Sequence, residues 1–300
     1  MRIAILFAVI VLFLHLPAEA ERVQIALSMG NTNTARDISA AQSIISGLDE
    51  DVFEIRMTNA HGSLSGQISD INSLISDKPD YLVVSAVRSI GLSSVIADAE
   101  QAGIPVILVD RFSTDSPEKD TLTRIGTDWS WAGATCADIL QQNCQDRQAL
   151  ILEVQGESES NSTQEASKGF RARLRESAGM QLAGVLTGGS DRQSTSQVVL
   201  DFIEEKGICF DAVFAHGDEQ ALGVINALLS ASADENIPIV CIGGMDDARR
   251  AMLAGKLFAF VRVEDDFGHE VADAIRRHMQ GESVEPIILS QGVVQYAAEG

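Results

Sequence analysis

Basic residues are scarce in this chain: 22 Lys and Arg stand against 43 Asp and Glu, a formal net charge of −21 at pH 7. Such a surface repels phosphate backbones and anionic headgroups, which excludes a general nucleic-acid role and a polybasic membrane patch. Long apolar runs are absent after residue 20, so no later segment reaches the ~18 residues that a bilayer span needs. Catalytic signatures are missing too. The five histidines show no metal-ligand spacing, and there is no GxSxG elbow, P-loop or GxGxxG turn. Neither an enzyme, a metal nor a cofactor is expected. No Pro- or Ser-rich linker divides the 300 residues. Cysteines number four, Cys136, Cys144, Cys209 and Cys241, and an even set of four allows three complete pairings.

What is present begins with an address. Arg2 precedes an unbroken apolar run from Ile3 to Leu14, and Ala18-Glu19-Ala20 offers small residues at the cleavage positions. That pattern is a secretory signal peptide, residues 1–20, cleaved after Ala20. Cleavage removes one base, Arg2, and one acid, Glu19, so the charge is unchanged. The mature protein is expected to be exported, soluble and not embedded in a membrane. An oxidising destination makes cysteine pairing worth considering.

With 45% apolar residues the chain can bury a sizeable core. Short apolar runs at Val23–Ser28, Phe53–Thr58, Tyr81–Ala86 and Pro105–Asp110 alternate with helical patterns at Arg36–Ser46, Leu64–Ile75 and Gly91–Ala102. The alternation then restarts, with strands at Ala149–Val154, Gln181–Leu186, Phe210–Ala215, Ile237–Ile242 and Phe258–Val263. Its helices fit Thr163–Ser177, Ser194–Glu205, Glu219–Ser230, Asp246–Ala254 and Phe267–Met279. Continuous apolar strands with helical crossovers mark parallel sheets covered on both faces. The predicted fold is therefore α/β, two Rossmann-like doubly wound lobes that change over near Gly126–Trp129. A change of lobe without a flexible linker points to short crossing strands, which act as a hinge.

Carboxylates cluster at Asp246-Asp247 and Glu264-Asp265-Asp266, where predicted helices start and acids serve as caps. Asn161-Ser162-Thr163 matches a glycosylation acceptor, a pattern frequent by chance. In open α/β sheets ligands bind beyond the carboxyl ends of the strands. Those positions are Met29–Arg36, Ala86–Arg88, Asp110-Arg111, Thr127–Trp129, Gln155–Gln164, His216–Asp218, Gly243–Met245 and Arg262–Glu264. They are rich in amides, hydroxyls and charges, which suits a polar, hydroxyl-bearing small molecule.

Four segments carry a resemblance: IPVILVDRFSTD (104–115), LEVQGESESNSTQEASKGF (152–170), VFAHGDEQALGVINAL (213–228) and AGKLFAFV (254–261). Together they resemble the type I periplasmic solute-binding proteins of the ribose, galactose and galactofuranose kind, over most of residues 23–290. Regulators of the lactose-repressor type share the fold but carry a DNA-binding helix-turn-helix and no export signal. The resemblance implies a periplasmic, monomeric protein that closes two lobes on a sugar or small polyol and delivers it to an ABC importer. It also implies three crossover strands. The lobes would be residues 21–127 with about 264–288, and residues 128–263 with about 289–300.

Residue by residue, Asp110-Arg111 matches the family's Asp-Arg pair after the fourth strand, where a carboxylate accepts from sugar hydroxyls and a guanidinium donates. Ser85 falls near a polar family position and Asn33 near the first-strand ligands, with Gln164 and Asp218 proposed from the other lobe. Several usual pyranose contacts are replaced: the first loop, NTNTARD, has no aromatic ring, Ala166 stands for an Arg, and Gly217 for an Asn. Gly243-Gly244 and Val263 replace an Asp and a Gln. Trp129 is a candidate cleft wall in place of the missing rings, or packs the hinge. VRVEDDFG (261–268) resembles periplasmic autoinducer-2 receptors, whose matching Arg, here Arg262, binds ligand. Such receptors sit on a membrane sensor kinase, the alternative partner to an ABC permease. Cysteine placement resembles that of galactofuranose-type binding proteins and implies a Cys144–Cys209 disulfide at one end of neighbouring strands, leaving Cys136 and Cys241 as small buried apolar residues.

Overall fold

The computed structural model describes residues 22–33, 35–88, 90–112, 121–144, 147–158, 160–177, 179–232, 236–263 and 266–296. The expected signal peptide, residues 1–20, and Glu264-Asp265 lie outside the described residues. The first half runs β1 (Val23–Met29), α1 (Ala35–Gly47), β2 (Phe53–Asn59), α2 (Leu64–Ser76), β3 (Tyr81–Ser85), α3 (Ser93–Gln101), β4 (Val106–Val109) and β5 (Thr123–Thr127). The second runs α4 (Trp129–Cys144), β6 (Ala149–Gln155), α5 (Asn161–Glu176), β7 (Met180–Thr187), α6 (Arg192–Lys206), β8 (Ala212–Ala215), α7 (Asp218–Ser230), β9 (Ile239–Ile242), α8 (Asp246–Leu253) and β10 (Ala259–Arg262). The chain ends with α9 (Gly268–Met279), β11 (Ile287–Ser290) and β12 (Val293–Tyr296).

Two sheets result. The N-terminal one has the order β2-β1-β3-β4-β5-β11, with all strands parallel. The C-terminal one has the order β7-β6-β8-β9-β10-β12, parallel except for β12, which runs antiparallel to β10. Successive strand residues feed opposite cores: Ala212 and Phe214 pack beneath α4 and α5, while Val213 and Ala215 pack toward α6 and α7. That double cover is why these strands read as continuous apolar runs. β5, β11 and β12 are not among the strands the apolar pattern marks. TRIGT carries a charge and a glycine, and β11 and β12 have four residues each.

The chain passes between sheets three times: Thr127 to Trp129, Arg262 to Gly268, and Ser290 to Val293. The Asp128 amide donates to the Ser290 carbonyl at 3.0 Å, which ties the first crossing to the third. Ser290 still belongs to the N-terminal sheet, slightly beyond the expected change near 288.

α4 and α5 touch backbone to backbone. A Cβ on Gly133 would lie 2.0 Å from the Ala166 carbonyl oxygen, and one on Gly169 1.9 Å from that of Ser130. Only glycine permits this approach, and it sets the starts of both helices, Trp129 and Asn161, side by side at one end of the sheet.

The cysteines correct an expectation. All four thiols are free, so Cys144 and Cys209 are not bridged. Strands β6 and β8 are indeed neighbours, but the two cysteines pack on opposite faces of their sheet. Cys144 ends α4 and joins the core under α4 and α5, whereas Cys209 lies against the core under α6 and α7. Burial pushes the Cys144 thiol up, and pushes those of Cys136 and Cys241, both fully buried, well above the usual range.

Candidate functional site

Carboxyl ends of the parallel strands from both sheets face a shared cleft. Its larger cavity, about 770 Å³, is lined from the N-terminal lobe by Val87, Arg88, Ile90, Asp110 and Arg111. Trp129, Glu157, Ser160, Asn161, Ser162 and Gln164 close it from the other lobe. A second cavity of about 630 Å³ shares Trp129 and Ser162 and extends over His216, Asp218, Ile242 and Arg262 of the C-terminal lobe, with Ser39 opposite. Across the cleft the Asn161 side-chain amide donates to the Phe112 carbonyl at 3.0 Å. That bond engages the asparagine of the glycosylation-like triplet.

Asp110 follows β4 with φ +69°, the left-handed region that Asp and Asn tolerate better than most residues. The chain thereby turns sharply, with the Arg111 amide bonded to the Val109 carbonyl at 2.9 Å. Both side chains consequently reach the cavity. The Arg111 guanidinium sits 3.1 Å from Asp37 of α1 and 3.7 Å from Asp110, and remains 41% exposed. It is a cation held in place but still open to a ligand.

The structure brings Asp110, Arg111, Gln164 and Trp129 to the larger cavity, and Asp218 and Arg262 with Trp129 to the second. Ser85 and Asn33 line neither of these two. Ser85 ends β3, and its carbonyl accepts from the Gly30 amide at 2.7 Å and Gln67 Nε2 at 3.0 Å. Asn33 is exposed in the loop before α1.

Asp218 is buried, and its carboxylate accepts from the Gly244 amide at 2.9 Å and the Met245 amide at 3.1 Å. Burial pushes this carboxyl up, and the two amides partly offset it. A Cβ on Gly243 would sit 2.2 Å from its oxygen, so glycine at this position is what lets Asp218 brace the loop. In this structure Asp218 shapes the cleft wall.

Beneath the C-terminal half lies a polar cluster that strand-end reasoning misses. Glu153, fully buried in mid-β6, accepts from Ser167 Oγ at 2.6 Å and Arg171 Nε at 2.7 Å, and lies 3.0 Å from His216 Nε2. Burial alone would push its carboxyl up, yet the hydrogen bonds from His216, Arg171 and Ser167 outweigh burial and hold it at about 2. The signal in the sequence was a single acid inside the apolar run ALILEVQ. No group of three His, Cys, Asp or Glu side chains that could hold a metal exists among the described residues. Nor is any helix among them long and apolar enough to cross a membrane.

Comparison with known proteins agrees with this architecture. The ribose import binding protein RbsB of Bacillus subtilis is 26% identical over 266 residues, 88% of this chain and 84% of that one. The galactofuranose-binding protein YtfQ of Escherichia coli is 24% identical over 80% of this chain and 77% of its own. Among solved structures, the periplasmic binding protein component of the arabinose ABC transporter of Shewanella sp. ANA-3, bound to α- and β-L-arabinofuranose, superposes with a TM-score of 0.77. It is 24% identical, and the match covers 92% of each chain. The profile of the periplasmic binding protein domain matches residues 25–283, and the chain belongs to that family of non-enzymatic solute carriers.

Proposed function

We propose that this protein captures a sugar or small polyol between its lobes by hinge closure and delivers it to an ABC importer. The observation that carries the reading is the cleft itself. Two parallel sheets joined by three short crossings present hydroxyls, amides and guanidinium groups, with one indole, from both sides. A ligand that touches both walls binds the closed form better than the open one and so shifts the population toward it. Asp110 accepts from ligand hydroxyls and Arg111 donates, and Gln164 and Arg262 close from the opposite lobe. Ser85 and Asn33, which line neither cavity, assist from the same end of the N-terminal lobe. Trp129 supplies a flat apolar wall. The signal peptide places this work in the periplasm, with the carrier acting as a monomer.

A thermal-shift panel of L-arabinose, D-galactose, D-ribose, D-fructose, xylitol and myo-inositol tests the reading. A ligand that binds only the native state adds RT ln(1 + [L]/Kd), or about 2.7 kcal/mol at a hundredfold excess over Kd. At least one polyhydroxylated compound should raise the melt. If only amines or organic acids do so, the substrate class is wrong. Uptake of the bound sugar by cells with and without the protein then separates import from sensing.

A further inference from the structure

We propose that His216 is a specificity-determining contact of the cleft: its Nδ1 accepts a hydrogen bond from a hydroxyl of the ligand, and Glu153 positions the ring. The proposal rests on the sugar-or-polyol reading above.

His216 follows β8 at its carboxyl end, and its ring packs on Phe214 with centroids 4.7 Å apart. Phe214 stacks in turn on Phe170 of α5 at 4.3 Å. The histidine side chain is 3% exposed, so its ring is gripped rather than free to turn. Glu153 fixes which nitrogen does what. The side chains hydrogen-bonded to that carboxylate are Ser167 Oγ, Arg171 Nε, Gln155 Nε2 at 3.3 Å and the His216 ring. An ionised carboxylate only accepts, so His216 Nε2 must carry the hydrogen that points at Glu153. In the neutral imidazole the other nitrogen, Nδ1, then bears a lone pair.

That lone pair has no partner. Nδ1 is buried and makes no hydrogen bond, whereas the large majority of buried side-chain polar atoms have a partner. His216 lines the second cavity, and no other buried unpartnered side-chain nitrogen or oxygen among the described residues belongs to either cavity's lining. The neighbouring acceptor, Asp218, is engaged by backbone amides, and Gly217 contributes no side chain. A hydroxyl can donate to Nδ1, whereas a carbonyl or carboxylate at the same point cannot. The position therefore selects for a hydroxylated ligand and against its deoxy or oxidised analogue.

Two readouts test this. In ligand-free protein with ¹⁵N-labelled histidine, long-range ¹H–¹⁵N spectra should show His216 as the Nε2–H tautomer. Saturation with whichever compound of the six-member panel shifts the wild-type melt should then move its Nδ1 resonance. In His216→Gln the amide nitrogen of glutamine replaces Nε2 toward Glu153 but nothing replaces Nδ1. That variant should keep its melting temperature within a few degrees and bind the same compound at least tenfold more weakly. Equal affinity in His216→Gln, an unmoved Nδ1 resonance on saturation, or a protonated Nδ1 in the free protein overturns the proposal alone. If His216→Gln fails to fold, the wild-type resonance decides. A wild-type melt unmoved by the whole panel instead defeats the sugar reading, and this contact with it.

Discussion

The two walls of the cleft are built on opposite plans. On the N-terminal side Arg111 is 41% exposed and bridges to Asp37 and Asp110 at the rim. On the C-terminal side Glu153 is fully buried beneath four donors, one of them His216, which is 3% exposed and packs against the Phe214 ring. One wall can adapt as the lobes approach; the other presents a fixed pattern in advance. A binding protein that closes needs both. Preorganised groups lower the ordering cost of binding, and solvated ions at the rim gain strength as closure removes water from around them.

That contrast predicts that removing the Glu153 carboxylate acts on folding and removing the Arg111 guanidinium acts on binding. Glu153→Ala removes the acceptor shared by four side chains and is expected to cost about 3–5 kcal/mol. Urea midpoints measure it, and a loss near ~1 kcal/mol, the size typical of exposed pairs, would erase the distinction.

Acid should reveal the same carboxylate. Its folded value of about 2 lies below the ordinary value of 4.5, so the unfolded chain takes up the proton first as pH falls. The contribution is thus complete above the unfolded value and drains away between about 4.5 and 2. The shift corresponds to roughly 3 kcal/mol, and Glu153→Gln should flatten that part of the stability profile. Asp218, pushed up by burial, has the opposite sign: it is easier to accommodate at low pH and costs stability as it ionises.

Gly169→Ala would place a Cβ 1.9 Å from the Ser130 carbonyl and pry α5 from α4, at about 1–3 kcal/mol in a melt. Smallest in stability, and informative for that reason, is Arg111→Ala. It should move the unfolding midpoint by no more than ~1 kcal/mol yet weaken sugar binding about tenfold, measured by titration calorimetry. Unchanged affinity would remove Arg111 from the site.

Much of this was legible in the sequence because apolar alternation reports burial on both faces directly. The same regularity made β6 and β8 neighbours and placed Asp110-Arg111 at the cleft. What stayed hidden was sidedness and distance. Strand order tells which end of the sheet Cys144 and Cys209 share, but not that one packs against α5 and the other against α6, and so the implied bridge fails. Three of the four partners of Glu153 stand 14, 18 and 63 residues away, separations that only the folded chain closes. Strand-end logic likewise found Asp218 without showing that its carboxylate faces backbone amides.

The most direct test of the central claim uses the cleft's own indole. The chain has two tryptophans, Trp129 and Trp131, and Trp129 lines both cavities. In Trp131→Phe protein the fluorescence of Trp129 should change saturably with a sugar or polyol, and the same titration in Arg111→Ala should shift to higher concentration. A signal that stays flat for every polyhydroxylated compound, or one that responds to amines or acids instead, would contradict the account.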